Sequence, residues 1–92
     1  MSPQESYSTR FTATGRRDLD KLPPRIAAAV IEFAFGDLAR APRRVGKPLR
    51  GELAGQHSAR RGPYRLLYRI DDQDGIVWVH RIDHRAQVYR RP

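Results

Sequence analysis

Residues 63–70, with the sequence PYRLLYRI, decide how this chain of 92 residues folds. Alternation of side chains along a β-strand gives this stretch two unlike faces. One face carries Tyr64, Leu66, Tyr68 and Ile70, and the other carries Arg65, Leu67 and Arg69. We predict that the first face packs against helices and that the arginine face stays open.

The flanking segments predict an α+β domain. Residues 24–40 carry a broad apolar stripe at helical spacing between Pro24 and Pro42. The predicted order is a strand at 7–12, a helix through 15–22, a helix over 24–40, a connecting segment at 43–55, strands at 56–60, 64–70 and 76–83, and a short C-terminal segment. Because consecutive strands joined by short turns pair as a meander, we expect a four-stranded, mostly antiparallel sheet packed on a helical hairpin.

Length and composition indicate one small cytoplasmic domain. We assign residues 1–92 to a single domain, with residues 1–6 flexible. The chain has no cysteine, which excludes disulfides and thiolate metal sites and fits a reducing compartment. No apolar run reaches the roughly 18 residues of a membrane span, and the N-terminus lacks the apolar region of a signal peptide. We therefore expect no membrane partner.

Basic residues are concentrated in the second part of the chain. The net charge is +8, and residues 40–92 hold thirteen basic and five acidic side chains, whereas residues 1–39 hold five of each. A GC-rich coding bias explains why arginines outnumber lysines, but it does not explain this segregation. Arginine suits bidentate contact with phosphate, so the charge pattern favours a nucleic-acid partner.

Patterns typical of cofactor-dependent enzymes are missing from the sequence. It contains no GxGxxG motif and no P-loop, and its three histidines lack the spacing of a metal site, so we predict no cofactor and no metal. His80 is predicted to be a partly buried structural histidine that shares a strand face with Ile76, Trp78 and Ile82.

The remaining chemistry lies in a set of arginines with one histidine and one tyrosine. The set is Arg60, Arg61, Arg65, Arg81, His84, Arg85, Tyr89, Arg90 and Arg91. RNA is cleaved without a metal when a base takes the proton of the 2′-hydroxyl, cations stabilise the phosphorane and an acid protonates the 5′-oxygen. The arginines suit the second role, and Tyr89 or His84 suits the proton transfers. The alternative is that the arginines bind phosphate without cleavage and that Tyr89 packs under the sheet edge.

The runs GKPLRGELAGQHSARRGPYRLLYRIDD (46–72) and IDHRAQVYR (82–90), together with FTATGRRDLDKLPPRI (11–26), resemble the RelE side of the RelE/ParE toxin superfamily. The resemblance covers about residues 7–91. It implies a toxin of a type II toxin-antitoxin pair that cleaves mRNA in the ribosomal A site. It also implies three kinds of partner: a RelB-like antitoxin that wraps the basic surface, the ribosome with its mRNA and rRNA, and operator DNA reached only through the antitoxin complex.

The resemblance also implies roles for particular residues. Catalytic roles fall on Arg65, Arg85, Tyr89 and His84, with Arg65 at the scissile phosphate. The resemblance matches Arg60 to a basic residue before the turn. The concentration of positive charge extends the predicted RNA-binding set, which is Lys47, Arg50, Arg60, Arg61, Arg69, Arg81 and Arg90. The sequence departs from the family where relatives carry lysines in the strand before the turn, since Gln56 and Ser58 stand at those positions. The general base is therefore not identified by the motif.

Two other functions are compatible with the same fold. The first is a ParE-like toxin that inhibits DNA gyrase without chemistry of its own, because fold does not determine function. The second is a basic RNA-binding module without cleavage. An endoribonuclease is the prediction that accounts for Arg65, Arg85 and Tyr89 together.

Overall fold

The computed structural model describes residues 6–84. The strands are β1 (Ser8–Phe11), β2 (Lys47–Pro48), β3 (His57–Arg61), β4 (Tyr64–Asp71) and β5 (Ile76–His84). The helices are α1 (Ala13–Asp20), α2 (Pro24–Phe35) and α3 (Asp37–Arg40), and a short 3₁₀ helix covers Gly51–Leu53. The predicted α+β class, with its helical hairpin between the first strand and the remaining strands, is confirmed.

Over residues 6–84 the sheet has five strands in the order β1-β5-β4-β3-β2, rather than the four predicted. The additional strand is β2, which lies within the segment predicted to be a connection and pairs Lys47 with Ser58 and Pro48 with His57. The β2, β3, β4 and β5 strands pair antiparallel, while β1 lies parallel to β5.

Local sequence signals account for the helix boundaries. The hydroxyl of Thr12 accepts a hydrogen bond from the backbone N–H of Gly15 at 3.1 Å, which caps α1. Pro24 lies at the start of α2, where its missing N–H costs nothing. The single helix predicted over residues 24–40 is wrong in one respect, because it breaks at Gly36 into α2 and α3. A side chain there would come within 2.7 Å of the carbonyl oxygen of Glu32, so this change of direction requires glycine.

The hydrophobic core lies between the helices and one face of the sheet. Its fully buried side chains include Val30, Leu38, Leu66, Tyr68, Val77 and Val79. The Tyr64 hydroxyl donates to the carbonyl of Ala29 in α2 at 3.2 Å. The Tyr68 hydroxyl donates to the carbonyl of Pro42 at 2.6 Å. These contacts confirm that the tyrosine face of β4 packs against the helical side, as the alternation predicts.

A β-bulge interrupts the pairing of β4 with β5. Leu67 pairs with Arg81, but the next residue of β4, Tyr68, pairs with Val79, so His80 has no partner across the ladder. One extra residue on one strand changes the phase of its side-chain alternation. The residues on either side of His80 therefore follow two different alternation patterns.

This change of phase corrects one prediction about β5. Ile82 was expected to share a face with Trp78, but it is 3% exposed and belongs to the core. Arg81 is exposed instead. The bulge thus turns one more arginine toward the open side of the sheet while keeping an apolar residue inside.

Candidate functional site

The face of the sheet opposite the helices collects exposed basic side chains from all five strands. We call this set the basic face, and it consists of Arg10, Lys47, Arg60, Arg65, Arg69 and Arg81. The assignment of faces is fixed in β1 by Thr9, whose hydroxyl bonds to the carbonyl of Ala34 in α2. Arg10, the next residue, therefore points away from the helices.

Arg65 lies in the middle of the basic face. In the pairing register it faces Arg60 on β3 and Asp83 on β5. Side chains opposite each other on one face of an antiparallel pair have Cβ atoms about 4.5–5.5 Å apart. Two guanidinium groups and one carboxylate are thus within reach of a single bound phosphodiester.

Asp83 is a functional candidate that the sequence reasoning missed. Its carboxylate lies 4.0 Å from the guanidinium of Arg81, and its side chain is 41% exposed. Alternation within β5 does not identify Asp83 as a site residue. Only the pairing of β5 with β4 shows that Asp83 lies beside Arg65. A carboxylate among arginines either anchors them or accepts a proton.

Asp18 connects α1 to the strand end that carries these residues. Its carboxylate accepts a hydrogen bond from the backbone N–H of Ile82 at 2.9 Å and another from Nε of Arg81 at 3.3 Å. Pairing of β1 with β5 ends at Val79, so the N–H of Ile82 takes a side-chain acceptor instead of a strand partner. The helix thereby orients Arg81 on the basic face.

Two arginines of the basic face lie on either side of Trp78, and we call these three residues the Trp78 row. The register pairs Trp78 with Arg69 on β4 and with Arg10 on β1. Both arginines are exposed, and Trp78 is partly exposed. Alternation along residues 7–12 already separates Arg10 from Thr9, but the sequence alone does not show that the first strand lies next to the last one.

Two residues with predicted site roles lie on the helical side instead. The guanidinium of Arg61 is 3.2 Å from the carboxylate of Asp37 and lies 4.5 Å from the ring centroid of Phe33. His84 is 7% exposed and pairs with Tyr64, whose hydroxyl contacts α2. Neither side chain shares a sheet face with Arg65.

The surroundings of the other two described histidines lower their pKa values. Burial, with a smaller contribution from the charge of Arg43, lowers the pKa of His57, whose ring stacks on Tyr68 at a centroid distance of 5.6 Å. Burial and then the charge of Arg69 lower the pKa of His80. Among the residues that the structure describes, neither Nδ1 of His57 nor Nε2 of His80 finds a hydrogen-bond partner.

An ion pair stabilises the turn between β4 and β5 at the far end from Arg65. Arg43 contacts both carboxylate oxygens of Asp72, at 3.0 and 2.7 Å, and the Tyr7 hydroxyl donates to the same group at 2.6 Å. Hydrogen bonds from Arg43 and then Tyr7 lower the pKa of Asp72 to about 2. The guanidinium of Arg43 therefore has a structural role in its contact with Asp72.

Within residues 6–84, no group of three or more histidine or acidic side chains is arranged to hold a metal ion. In that same part of the chain, no helix is long and apolar enough to cross a membrane.

A family model described as the ParE toxin of the type II toxin-antitoxin system parDE matches residues 9–89. The chain belongs to this family of type II toxins. A relative of the toxin is Toxin RelG of Mycobacterium tuberculosis (strain ATCC 25618 / H37Rv), 72% identical over 85 residues that make up 92% of this chain and 98% of that protein. Toxin RelE of the same strain is 51% identical over 90 residues, covering 98% of this chain and 93% of that protein.

Solved structures confirm the RelE-like fold of the toxin. The crystal structure of the toxin-antitoxin complex RelBE2 from Mycobacterium tuberculosis matches with a TM-score of 0.86 and 71% identity, covering 87% of this chain and 99% of that chain. The intact Escherichia coli RelBE complex matches with a TM-score of 0.72 and 21% identity, covering 86% of this chain and 96% of that chain. The second likeness concerns the fold alone.

The toxin's remaining predicted site residues divide into two groups. Lys47 lies on β2 and contributes to the basic face, while Arg50 is exposed in the segment that precedes the 3₁₀ helix. Arg85, Tyr89 and Arg90 lie outside the described residues. Their predicted roles stay predictions, and the geometry of the site is that of residues 6–84.

Proposed function

We propose that the toxin is a metal-independent endoribonuclease that cleaves mRNA in the ribosomal A site and so stops translation. The observation that carries this proposal is Arg65, exposed on the basic face between Arg60 and Asp83. The names of two relatives, Toxin RelG and Toxin RelE, support an assignment to the RelE type.

The proposed reaction is attack by the 2′-hydroxyl on the adjacent phosphate. A base takes the 2′-hydroxyl proton, the 2′-oxygen bonds to phosphorus, the bond from phosphorus to the 5′-oxygen breaks, and the phenol of Tyr89 protonates the leaving oxygen. The guanidinium groups of Arg65, Arg60 and Arg85 stabilise the charge that develops on the phosphorane oxygens. Products are a 2′,3′-cyclic phosphate and a 5′-hydroxyl.

We assign the proton acceptor to Asp83 rather than to His84. Asp83 pairs with Arg65 in the register, so its carboxylate lies on the same face as the phosphate that Arg65 would bind. His84 is buried on the helical side of the sheet. This assignment supplies a base where Gln56 and Ser58 replace the lysines of other relatives.

We also propose that a RelB-like antitoxin holds the toxin inactive by covering the basic face. Two of the solved structures that share the toxin's fold are complexes of a toxin with its antitoxin. A polyanionic RNA and an acidic antitoxin segment both complement the six exposed cations, so binding of one excludes the other. Operator DNA is then reached through the antitoxin, and the ribosome supplies both mRNA and rRNA contacts.

Inhibition of DNA gyrase is the second candidate function, because the matching family model carries the ParE name. The experiment that separates the two is mapping of mRNA 5′ ends after brief induction of the toxin. New 5′ ends at in-frame codon positions that vanish when translation is blocked support the ribosomal nuclease. Intact transcripts together with DNA breaks and an SOS response would replace it with gyrase inhibition.

A further inference from the structure

The Trp78 row, which consists of Arg10, Trp78 and Arg69, lies apart from the proposed cleavage position at Arg65. Arg69 follows Arg65 by four residues along β4, which is about 13 Å at roughly 3.3 Å per residue. Its partner across the ladder is Trp78, and the partner of Trp78 on the other side is Arg10. The row thus spans three adjacent strands and has an aromatic side chain at its centre.

The row combines one aromatic side chain with two arginines on the side of the sheet that faces away from the core. Trp78 is partly exposed, whereas its neighbours along the strand, Val77 and Val79, are fully buried on the other face. Both residues that flank it across the ladders, Arg10 and Arg69, are exposed arginines. A flat aromatic group between two cations is the arrangement on which bases of single-stranded nucleic acids stack while their phosphates contact the charges.

We propose that Trp78, Arg10 and Arg69 form a base-stacking subsite for single-stranded RNA, separate from the cleavage position. An unstacked base lies on the indole, and the two guanidinium groups contact the phosphates on either side of that base. The six cations of the basic face favour an anionic occupant. This inference rests on the proposed RNA-cleaving function and adds to it a second point of contact with the strand.

Intrinsic fluorescence gives a direct test, because Trp78 is the sole tryptophan of the chain. The free toxin is titrated with a short single-stranded 2′-O-methyl oligoribonucleotide, which cannot be cleaved, and with an abasic oligonucleotide that carries the same phosphates. We expect the first to quench Trp78 and the second to bind without quenching. Equal responses to both, or no response at saturation, would overturn the proposal.

Affinity of the labelled 2′-O-methyl oligonucleotide, measured by anisotropy, provides the second arm. Since base–aromatic stacking is worth a factor of about 5 to 150 per base, Trp78→Leu should weaken binding within that range, and Trp78→Phe should restore most of it. Arg10→Ala should weaken binding and lower its salt dependence. The matched control is Arg25→Ala, which removes an exposed arginine from α2 and should change neither.

The outcomes separate this inference from the proposed function. If RNA quenches Trp78 but the toxin leaves transcripts intact, the stacking subsite is supported and the proposed nuclease function is wrong. Cleavage by a Trp78→Leu variant that binds RNA as tightly as the parent removes the subsite and leaves the nuclease. If an antitoxin peptide quenches Trp78 and saturating RNA does not, the row is a protein contact and the proposal is wrong. The quenching experiment uses the unaltered chain, so it holds even if Trp78→Leu does not fold.

Discussion

Replacing Arg65 with alanine removes one guanidinium from the centre of the basic face without altering the core. Arg65 is exposed, and no ion pair or side-chain hydrogen bond ties it to another described residue. Exposed substitutions of this kind change the free energy of unfolding by no more than about 0.5 kcal/mol. Any large effect on cleavage therefore reports on the reaction rather than on folding.

Two explanations of the role of Arg65 predict different losses of cleavage rate for Arg65→Ala. If it only attracts phosphate, the lost Coulomb energy at 4 Å in water is about 1 kcal/mol, or roughly a fivefold change. If it stabilises the phosphorane, loss of one preorganised donor costs about 2.7–4 kcal/mol, or 10²- to 10³-fold in the rate of cleavage. We expect the larger loss, with Arg65→Lys intermediate because it keeps the charge but loses the bidentate fork.

The assay is single-turnover cleavage of mRNA on programmed ribosomes, with thermal unfolding measured on the same preparations. Arg25→Ala is the matched control, since it lowers the net charge by the same amount from the helical side of the molecule. If Arg65→Ala cleaves within about fivefold of Arg25→Ala, the arginine contributes only attraction and the proposed catalytic role is wrong.

Three further predictions concern the scaffold that holds the site. Tyr68→Phe should lower the free energy of unfolding by about 1–3 kcal/mol, and the melting temperature by about 4–8 °C per kcal/mol, because a buried carbonyl loses its donor. An unchanged melting temperature would contradict this. Gly15→Ala should destabilise the toxin despite the better helix propensity of alanine, because the new methyl group collides with a carbonyl of β5. Arg16→Ala on the same helix should not destabilise it. Denaturant titration of the two variants compares their free energies of unfolding. Burial lowers the folded-state pKa of His57 and His80 below the unfolded value of 6.5, so the unfolded chain binds more protons as the pH falls below 6.5. The free energy of unfolding should therefore decrease in that range, and urea denaturation that gives the same value at roughly pH 7.5 and 5.5 would exclude this linkage.

The sequence predicted the features that depend on local pattern. Alternation in β4 separates Tyr68 from Arg65 because each strand residue points to the opposite face from its neighbour, and the structure follows this assignment. The resemblance likewise identified the superfamily. The charge pattern placed Arg61 with the RNA-binding residues, whereas its side chain lies on the helical side beside Asp37.

Features that depend on contacts between distant segments were not predictable. The bulge at His80 changes the phase of β5, and the acceptor for the N–H of Ile82 comes from Asp18 in a helix more than sixty residues earlier. Periodicity within one strand contains no information about such a contact. For this reason, Asp83 and the row around Trp78 became candidates only once the pairing of strands was known.

The parallel pairing of β1 with β5 has a consequence for how the toxin is made. β1 begins at Ser8 and pairs with β5 from Ile76 onward. The sheet therefore cannot be completed before β5 is available. Contacts between segments so distant in sequence slow folding. During synthesis the helical hairpin and the β3–β4 hairpin can form, but the Trp78 row and the strand end carrying Asp83 are incomplete until β5 has been translated. Until then, a ribosome translating this message carries a nascent chain without the full basic face.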